Sequence, residues 1–393
     1  VLSILVFDFI NADRIHKGYG LVLEPKRKFS FKRTLIKLVG LYFTFAIIAL
    51  VYWLLPVYGD GLYSKFLNFI AEYWVHLAII AIPYFALVDV MMKKPQDAYW
   101  HMGCFALMRF SKVDWRMIFE HLKAWAVKGF FLPLMATFLL NNLNNIASFN
   151  YESLYTESMQ ERLRNLYNFA FQMIFTIDLL FAAIGYVMTL KIVNSQIFSS
   201  EPTTIGWVAC LIGYPPFWGS FFYGNYFAYN DGYNWGNFFF FFLIFYFKMG
   251  VAILGLSMFY SLATVAFGYR FSNLTYRGLI TCGPYKYTKH PAYVFKNISW
   301  WLIAVPFIVH DGNTWFEAMR NCVLLFMVNI IYFIRARTEE NHLSNYPEYV
   351  EYANWINEHG IFAWLGRVCP YFRYSQERAL SSAADAEAAM EVG

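Results

Sequence analysis

Long apolar runs separated by short polar segments dominate this chain from residue 34 to residue 334. Several reach about 20 residues, the length an α-helix needs to cross a hydrocarbon core of about 30 Å. The runs are continuous and do not alternate with a period of two, which argues against the strands of a membrane barrel. The pattern predicts an all-α polytopic transmembrane helical bundle of about eight spans. They lie near Thr34–Pro56, Phe66–Met91, Val127–Phe149, Leu166–Val193, Thr204–Gly224, Gly236–Phe267, Asn297–His310 and Asn321–Ile334. Pro215 and Pro216 interrupt the fifth, and the seventh is short enough to be half of a broken hairpin. The first apolar stretch has neither a basic leader nor a small-residue cleavage site, so no cleavable signal peptide is expected.

Composition fits this class. Of 393 residues, 59% are hydrophobic, 22% aromatic and 15% charged, whereas a soluble domain carries roughly a quarter charged residues. The five cysteines are odd in number and scattered, with no CxxC or Cys/His zinc spacing, so neither a disulfide framework nor a metal site is predicted. Lysine and arginine cluster before the first span, after the second, after the sixth and after the eighth. That bias predicts a multi-pass membrane protein with both termini on the cytoplasmic side. Residues 98–125 mix aromatics with Arg109, Lys112, Asp114, Arg116 and Lys123. They read either as an amphipathic helix in the interface or as a plain connector. Asp178 and Lys248 are unusual at membrane depth and could pair or line a cavity. Asn141–Asn145 reads as the end of the third span.

Residues 1–33 form an N-terminal cytoplasmic or interfacial segment, and 34–268 the N-terminal transmembrane helices. Residues 269–373 form a C-terminal region, and 374–393 a disordered tail dominated at its end by Ala, Ser and acid. Candidate chemistry concentrates in the C-terminal region. Arg277–Tyr293, RGLITCGPYKYTKHPAY, is a polar turn between two apolar runs, and Arg335–Leu343, RARTEENHL, ends the last run. A histidine, two adjacent carboxylates and several cations on one membrane face suggest a polar ligand site. Singly, each residue has a plainer explanation. His290 would cap a helix, Glu339 and Glu340 would be a solvated helix end, and Arg335 and Arg337 would be positive-inside anchors. The tyrosines would be interfacial belt residues, and Lys296 would snorkel to the interface.

Together the two clusters resemble the signatures of the isoprenylcysteine carboxyl methyltransferase and phospholipid methyltransferase superfamily. Arg277–Tyr293 is similar to the GPYxYxRHPxY signature, and Arg337–Tyr349 to a second one with an Arg, a Glu-Glu pair, a Leu and a Tyr. The resemblance covers about 75 residues, roughly a fifth of the chain. It implies a membrane-embedded enzyme using S-adenosylmethionine, with its pocket on the cytoplasmic side and a lipid-like acceptor entering laterally. No GxGxxG follows a strand, so a soluble nucleotide-binding fold has no support. No nucleic-acid partner is expected.

The resemblance also implies roles. Gly283, Pro284, Tyr285, Tyr287, His290, Pro291, Tyr293, Glu339, Glu340 and Leu343 fall on cofactor-binding positions. Glu339 or Glu340 would meet the α-ammonium group. His290 and the backbone N–H groups of the turn would meet the carboxylate, and the prolines would stiffen that turn. Tyr285, Tyr287 and Tyr293 would enclose the adenine. Arg277, Arg335 or Arg337 would orient a carboxylate acceptor, whereas an amine acceptor would need a general base such as Glu340. Arg277, Arg337 and Glu340 are thus the catalytic candidates. The chain departs from the pattern in three places: Lys289 replaces the usual Arg, Phe295 replaces the usual Gly and would crowd the cofactor or reshape the acceptor cleft, and Trp355–Gly366 lacks the basic residue and Pro-containing ending that often follow the second signature. Two other readings fit the same region: an NADPH-dependent reductase of the sterol reductase type, and a non-catalytic membrane subunit.

Overall fold

The computed structural model describes residues 28–381, apart from 60, 157, 223–226, 231 and 311. Most of the expected N-terminal segment (1–27) and the end of the expected tail (382–393) lie outside the described residues. The chain is almost wholly helical. In order, its helices are α1 (Phe31–Leu54), α2 (Ser64–Met91), α3 (Ala98–Ala106), α4 (Trp115–Ala147) and α5 (Met159–Val187). There follow α6 (Thr204–Leu211), α7 (Phe217–Phe222), α8 (Trp235–Phe239), α9 (Leu243–Phe267) and α10 (Pro291–Ala304). The last are α11 (Trp315–Leu343), α12 (Pro347–His359) and α13 (Ala363–Val368). Two short strands, β1 (Ser199–Ser200) and β2 (Thr275–Tyr276), pair antiparallel with Ser199 opposite Tyr276.

Among the described residues six helices are long and apolar enough to cross a membrane: α1, α2, α4, α5, α9 with one further turn to Arg270, and α11. Large apolar side chains on them face outward, as with Trp74, Ile79 and Ile80 on α2, which suits contact with lipid tails. The chain is a multi-pass membrane protein. The two remaining predicted spans are broken. The fifth is α6 plus α7, split at Pro215–Pro216, where ring and missing N–H bar a continuous helix. The seventh is α10, whose 14 residues rise about 21 Å, short of a hydrocarbon core. The β1–β2 pair brings the chain after α5 beside the chain after α9. Both connections therefore lie at one membrane face.

The chain divides into two compact units. The first holds residues up to Asn141, Leu179–Ser200 and Gly268–Gly278. Here α1 and α3 cross at two glycines. A Cβ on Gly40 would collide with the Tyr99 carbonyl oxygen, and one on Gly103 with that of Ile36. So close an approach needs small residues, a common device where lipid supplies no hydrophobic drive between helices. Arg33 (2.5 Å) and Lys37 (2.8 Å) of α1 both pair with Asp89 near the end of α2. Residues 98–125 do not form one interfacial helix. They split into α3, whose Met102 and Cys104 are buried, and the first turns of α4.

The second unit holds Asn142–Asp178, Glu201–Phe267 and the chain from Leu279 onward. Its apolar centres are built around Trp235, Tyr246, Ile253 and Val305, and around Phe222, Leu325, Val328 and Tyr332. Residues 374–381, expected to belong to a disordered tail, are ordered. Tyr374 is buried against Tyr349, its hydroxyl is 2.8 Å from Ser344 Oγ, and residues 376–381 are helical. Asp178 does not pair with Lys248. Its carboxylate accepts from Tyr260 (3.0 Å) and Thr264 (2.5 Å) on α9, and Lys248 is exposed.

The glycine crossing gives a direct test. Gly103→Ala should lower stability by about 1–3 kcal/mol, the usual range for overpacking. A thermal-unfolding midpoint in detergent unchanged from the parent would refute the close approach.

Candidate functional site

The site is assembled in the second unit from the turn before α10 and the last turn of α11. Gly283 opens that turn with φ 57°, a left-handed conformation that only glycine adopts without strain. Pro284 takes the second position of a 3-10 turn and Pro291 the first of α10, where a missing N–H breaks no helical hydrogen bond. His290 stands at the N-cap of α10, yet its side chain caps nothing. It points instead across to α11, with Nε2 3.2 Å from Glu340 Oε1. Helix capping is therefore not its role.

Glu340 is the centre of the cluster. Its side chain is 5% exposed and meets Lys289 Nζ at 2.6 Å, Arg337 Nη1 at 3.0 Å and His290. Burial holds the Lys289 ammonium below the usual lysine range, and the neighbouring Glu340 carboxylate opposes that fall. Glu339 is arranged differently. Its side chain is 40% exposed, with Oε2 accepting from the Tyr293 hydroxyl at 2.8 Å and lying 3.8 Å from His290 Nδ1. The Tyr293 ring stacks on His290 (centroids 5.5 Å, planes 5° apart). Successive helix residues point about 100° apart, which is why one carboxylate faces inward and its neighbour outward.

The other sequence candidates separate into lining and framework. Arg337 also donates to the Tyr371 carbonyl and lies over the Phe333 and Tyr371 rings. Tyr287 is 59% exposed. Tyr285 is a framework residue: it is buried against Ala263, Ala266 and Ile280, and its carbonyl accepts from Tyr352. Leu343 packs in the cluster of Tyr349, Ala353 and Tyr374. Arg277 is not an acceptor-orienting residue. Its guanidinium donates to the carbonyls of Gly185, Met188, Ser195, Tyr269 and Phe271 and to Ser195 Oγ, all in the first unit. Those donors are occupied in tying down irregular backbone. Phe295 does not crowd the cluster either, because it stacks on Phe259 of α9 at 5.1 Å.

Two cations extend the cluster along the helices. Lys296 does not snorkel. Its ammonium sits 5.1 Å from the Trp300 ring, 5.4 Å from Tyr260 and 5.5 Å from Tyr332. The buried Arg335 guanidinium lies 5.0 Å from the Tyr293 ring and 5.9 Å from Tyr214 and Tyr332. Such faces attract cations through the ring quadrupole. Sequence reasoning missed Tyr374, whose ring lies 5.3 Å from Lys289 Nζ; no motif marks it. Lys289 stood out only as a departure, yet it makes the shortest contact to Glu340.

The donor set suits an amino-acid zwitterion. Glu339 retains a carboxylate oxygen for an ammonium. Lys289 and Arg337 have more N–H donors than Glu340 uses, so they can also meet a carboxylate. Residues 242–345 match the model of the isoprenylcysteine carboxyl methyltransferase (ICMT) family, about a quarter of the chain and the stretch that carries all of these motif residues. No curated protein and no solved structure matches the chain.

The two glutamates should differ sharply on substitution. Glu340→Ala leaves Lys289 and Arg337 without their shared carboxylate and should cost about 3–5 kcal/mol, as when one partner of a buried pair is lost. Glu339→Ala, half-exposed, should cost less than about 1 kcal/mol. Equal losses of thermal stability would overturn the division of roles.

Proposed function

We propose that this chain, whose residues 242–345 match the model of the isoprenylcysteine carboxyl methyltransferase family, is a membrane methyltransferase that uses S-adenosylmethionine to methylate an anionic, lipid-borne acceptor at the cytoplasmic face. The observation that carries the proposal is Glu339. It is a half-exposed carboxylate fixed by Tyr293 at the edge of a knot in which partly buried Lys289, His290 and Arg337 surround buried Glu340. When bound, the cofactor supplies an electrophilic methyl group on a sulfonium.

The chain's own residues then divide the work. Glu339 holds the α-ammonium, and the remaining donors of Lys289 and Arg337 hold the α-carboxylate. Tyr287 offers an exposed ring to the adenine. Glu340 keeps the cations in place and touches no substrate, so it is a positioning residue. Lys296 and Arg335 favour an anionic acceptor over an amine. Among the described residues Lys296 forms no salt bridge and lies over aromatic rings, and a cation at membrane depth is stabilised by an anion brought to it. A carboxylate acceptor needs no general base, since it attacks already deprotonated. The remaining requirements are in-line positioning and exclusion of water.

Binding separates this reading from its two rivals. S-adenosylhomocysteine at about 100 times its Kd should stabilise the detergent-purified chain by roughly 2.7 kcal/mol, raising its thermal midpoint by about 2–4 °C. Glu339→Gln should remove that rise. Stabilisation by NADPH alone would favour a reductase, and indifference to both would favour a non-catalytic subunit. For the acceptor, Lys296→Met should raise KM at least tenfold for a prenylated carboxylate while leaving S-adenosylhomocysteine binding intact. An unchanged KM would remove Lys296 from the acceptor site.

A further inference from the structure

The first unit contains a cavity of about 510 Å³ among α1, α2, α4 and residues 189–200, within the roughly 300–1,000 Å³ range of small-ligand sites. Its walls change character from one end to the other. Leu41 and Phe45 of α1 and Leu77 and Ile80 of α2 form an apolar side. Leu77 and Ile80 are 45% and 64% exposed, so this side opens laterally toward lipid. The polar end lies where α1 begins and where α2 and α5 end. There Lys37, Asp97, His121, Lys128, Thr189 and Lys191 meet.

The charges at that end are unequally satisfied. Lys37 pairs with Asp89 at 2.8 Å and approaches Asp97 at 3.8 Å, and Lys191 pairs with Asp97. Glu120 is paired with Lys123 at 2.6 Å, and Arg33 with Asp89. His121 Nε2 is 2.9 Å from the Thr44 hydroxyl. Lys128 alone of these cations has no carboxylate within ion-pair distance among the described residues. Its ammonium donates to Thr189 Oγ1 at 2.7 Å and lies 4.7 Å from the Trp125 ring. A hydroxyl and a ring face solvate an ammonium in part but do not neutralise it. Counting His121 as neutral, Arg33, Lys37, Lys128, Lys191 and Lys123 face Asp89, Asp97 and Glu120, so the polar end carries an excess of positive charge. Ionisable residues left uncompensated at membrane depth mark ligand sites.

We propose that this cavity binds an anionic amphiphile, with its charged head at Lys128 and an acyl chain along Leu41, Phe45, Leu77 and Ile80. A fatty-acid carboxylate and the phosphate of an acidic phospholipid share this chemistry. The site is separate from the methyl-transfer cluster and stands whether or not that reading holds.

The test uses the full chain purified in detergent and titrated separately with oleate, dioleoyl phosphatidic acid, dioleoyl phosphatidylcholine and inorganic phosphate. Oleate or phosphatidic acid should raise the thermal midpoint saturably, and whichever acts identifies the source. Lys128→Met should weaken half-saturation at least tenfold. An equal rise with phosphatidylcholine or with inorganic phosphate overturns the proposal, as does an unchanged response in Lys128→Met. Should that variant not fold, mass spectrometry of lipid released from the parent protein decides. About one anionic amphiphile per chain supports the site, and zwitterionic lipid alone refutes it.

Discussion

One buried carboxylate organises the second unit's polar chemistry. Glu340 projects from the last turn of α11 and collects Lys289, His290 and Arg337 within 2.6–3.2 Å. Two of these partners come from the turn before α10, so the contact fastens that turn to α11. The positions of Tyr293 and Glu339 follow. Once His290 faces Glu340, the Tyr293 ring stacks on the imidazole and its hydroxyl reaches Glu339. Removing a charge from water is expensive, and only good geometry with several partners compensates it. Three partners meet that condition here. The outward carboxylate is thereby left half-exposed, held by Tyr293.

The pairing of the two clusters was legible because each residue type has a narrow use. A glycine at φ 57°, prolines at helix starts and an acidic pair at a helix end leave few arrangements. Their common location could be read from the apolar run that separates them. What could not be read was which members face inward. Tyr285 and Tyr293 look alike in sequence, yet one supports the turn from below and the other lies on the cluster. Arg277 stands in the first motif but belongs to a backbone-holding arrangement, in which the carbonyls of Gly185, Met188 and Ser195 come from far along the chain. Backbone acceptors leave no trace in side-chain identity. Tyr374 is further still from any motif, in a segment whose composition resembled a disordered tail.

The fold was legible as a class and less so in its breaks. Hydropathy identifies apolar length but not whether a helix is continuous. Pro215–Pro216 signalled the break between α6 and α7. The early end of α10 is less visible, because Val305 takes a left-handed φ of 38° that sequence gives no reason to expect of a β-branched residue. Broken backbone at membrane depth is tolerated where it is buried in protein. Val305 is 2% exposed and packs among Trp235, Tyr246 and Ile253, which meets that requirement.

Charges within the membrane region sort by how they are compensated, in both units. Lys37 and Asp89 satisfy each other at 2.8 Å and join α1 to α2. Asp178 is satisfied by the hydroxyls of Tyr260 and Thr264 and joins α5 to α9. Those groups need nothing from outside the protein. Lys128 and Lys296 instead rest on aromatic faces, with no carboxylate in reach among the described residues. A ring face orients an ammonium and lowers the energy of burying it without cancelling its field. An anion brought to either ammonium would meet a charge that hydroxyls and ring faces solvate but no carboxylate within ion-pair distance neutralises. The same reasoning distinguishes Glu339 from Glu340: equal chemistry at adjacent positions, with only one of them already balanced by its own protein.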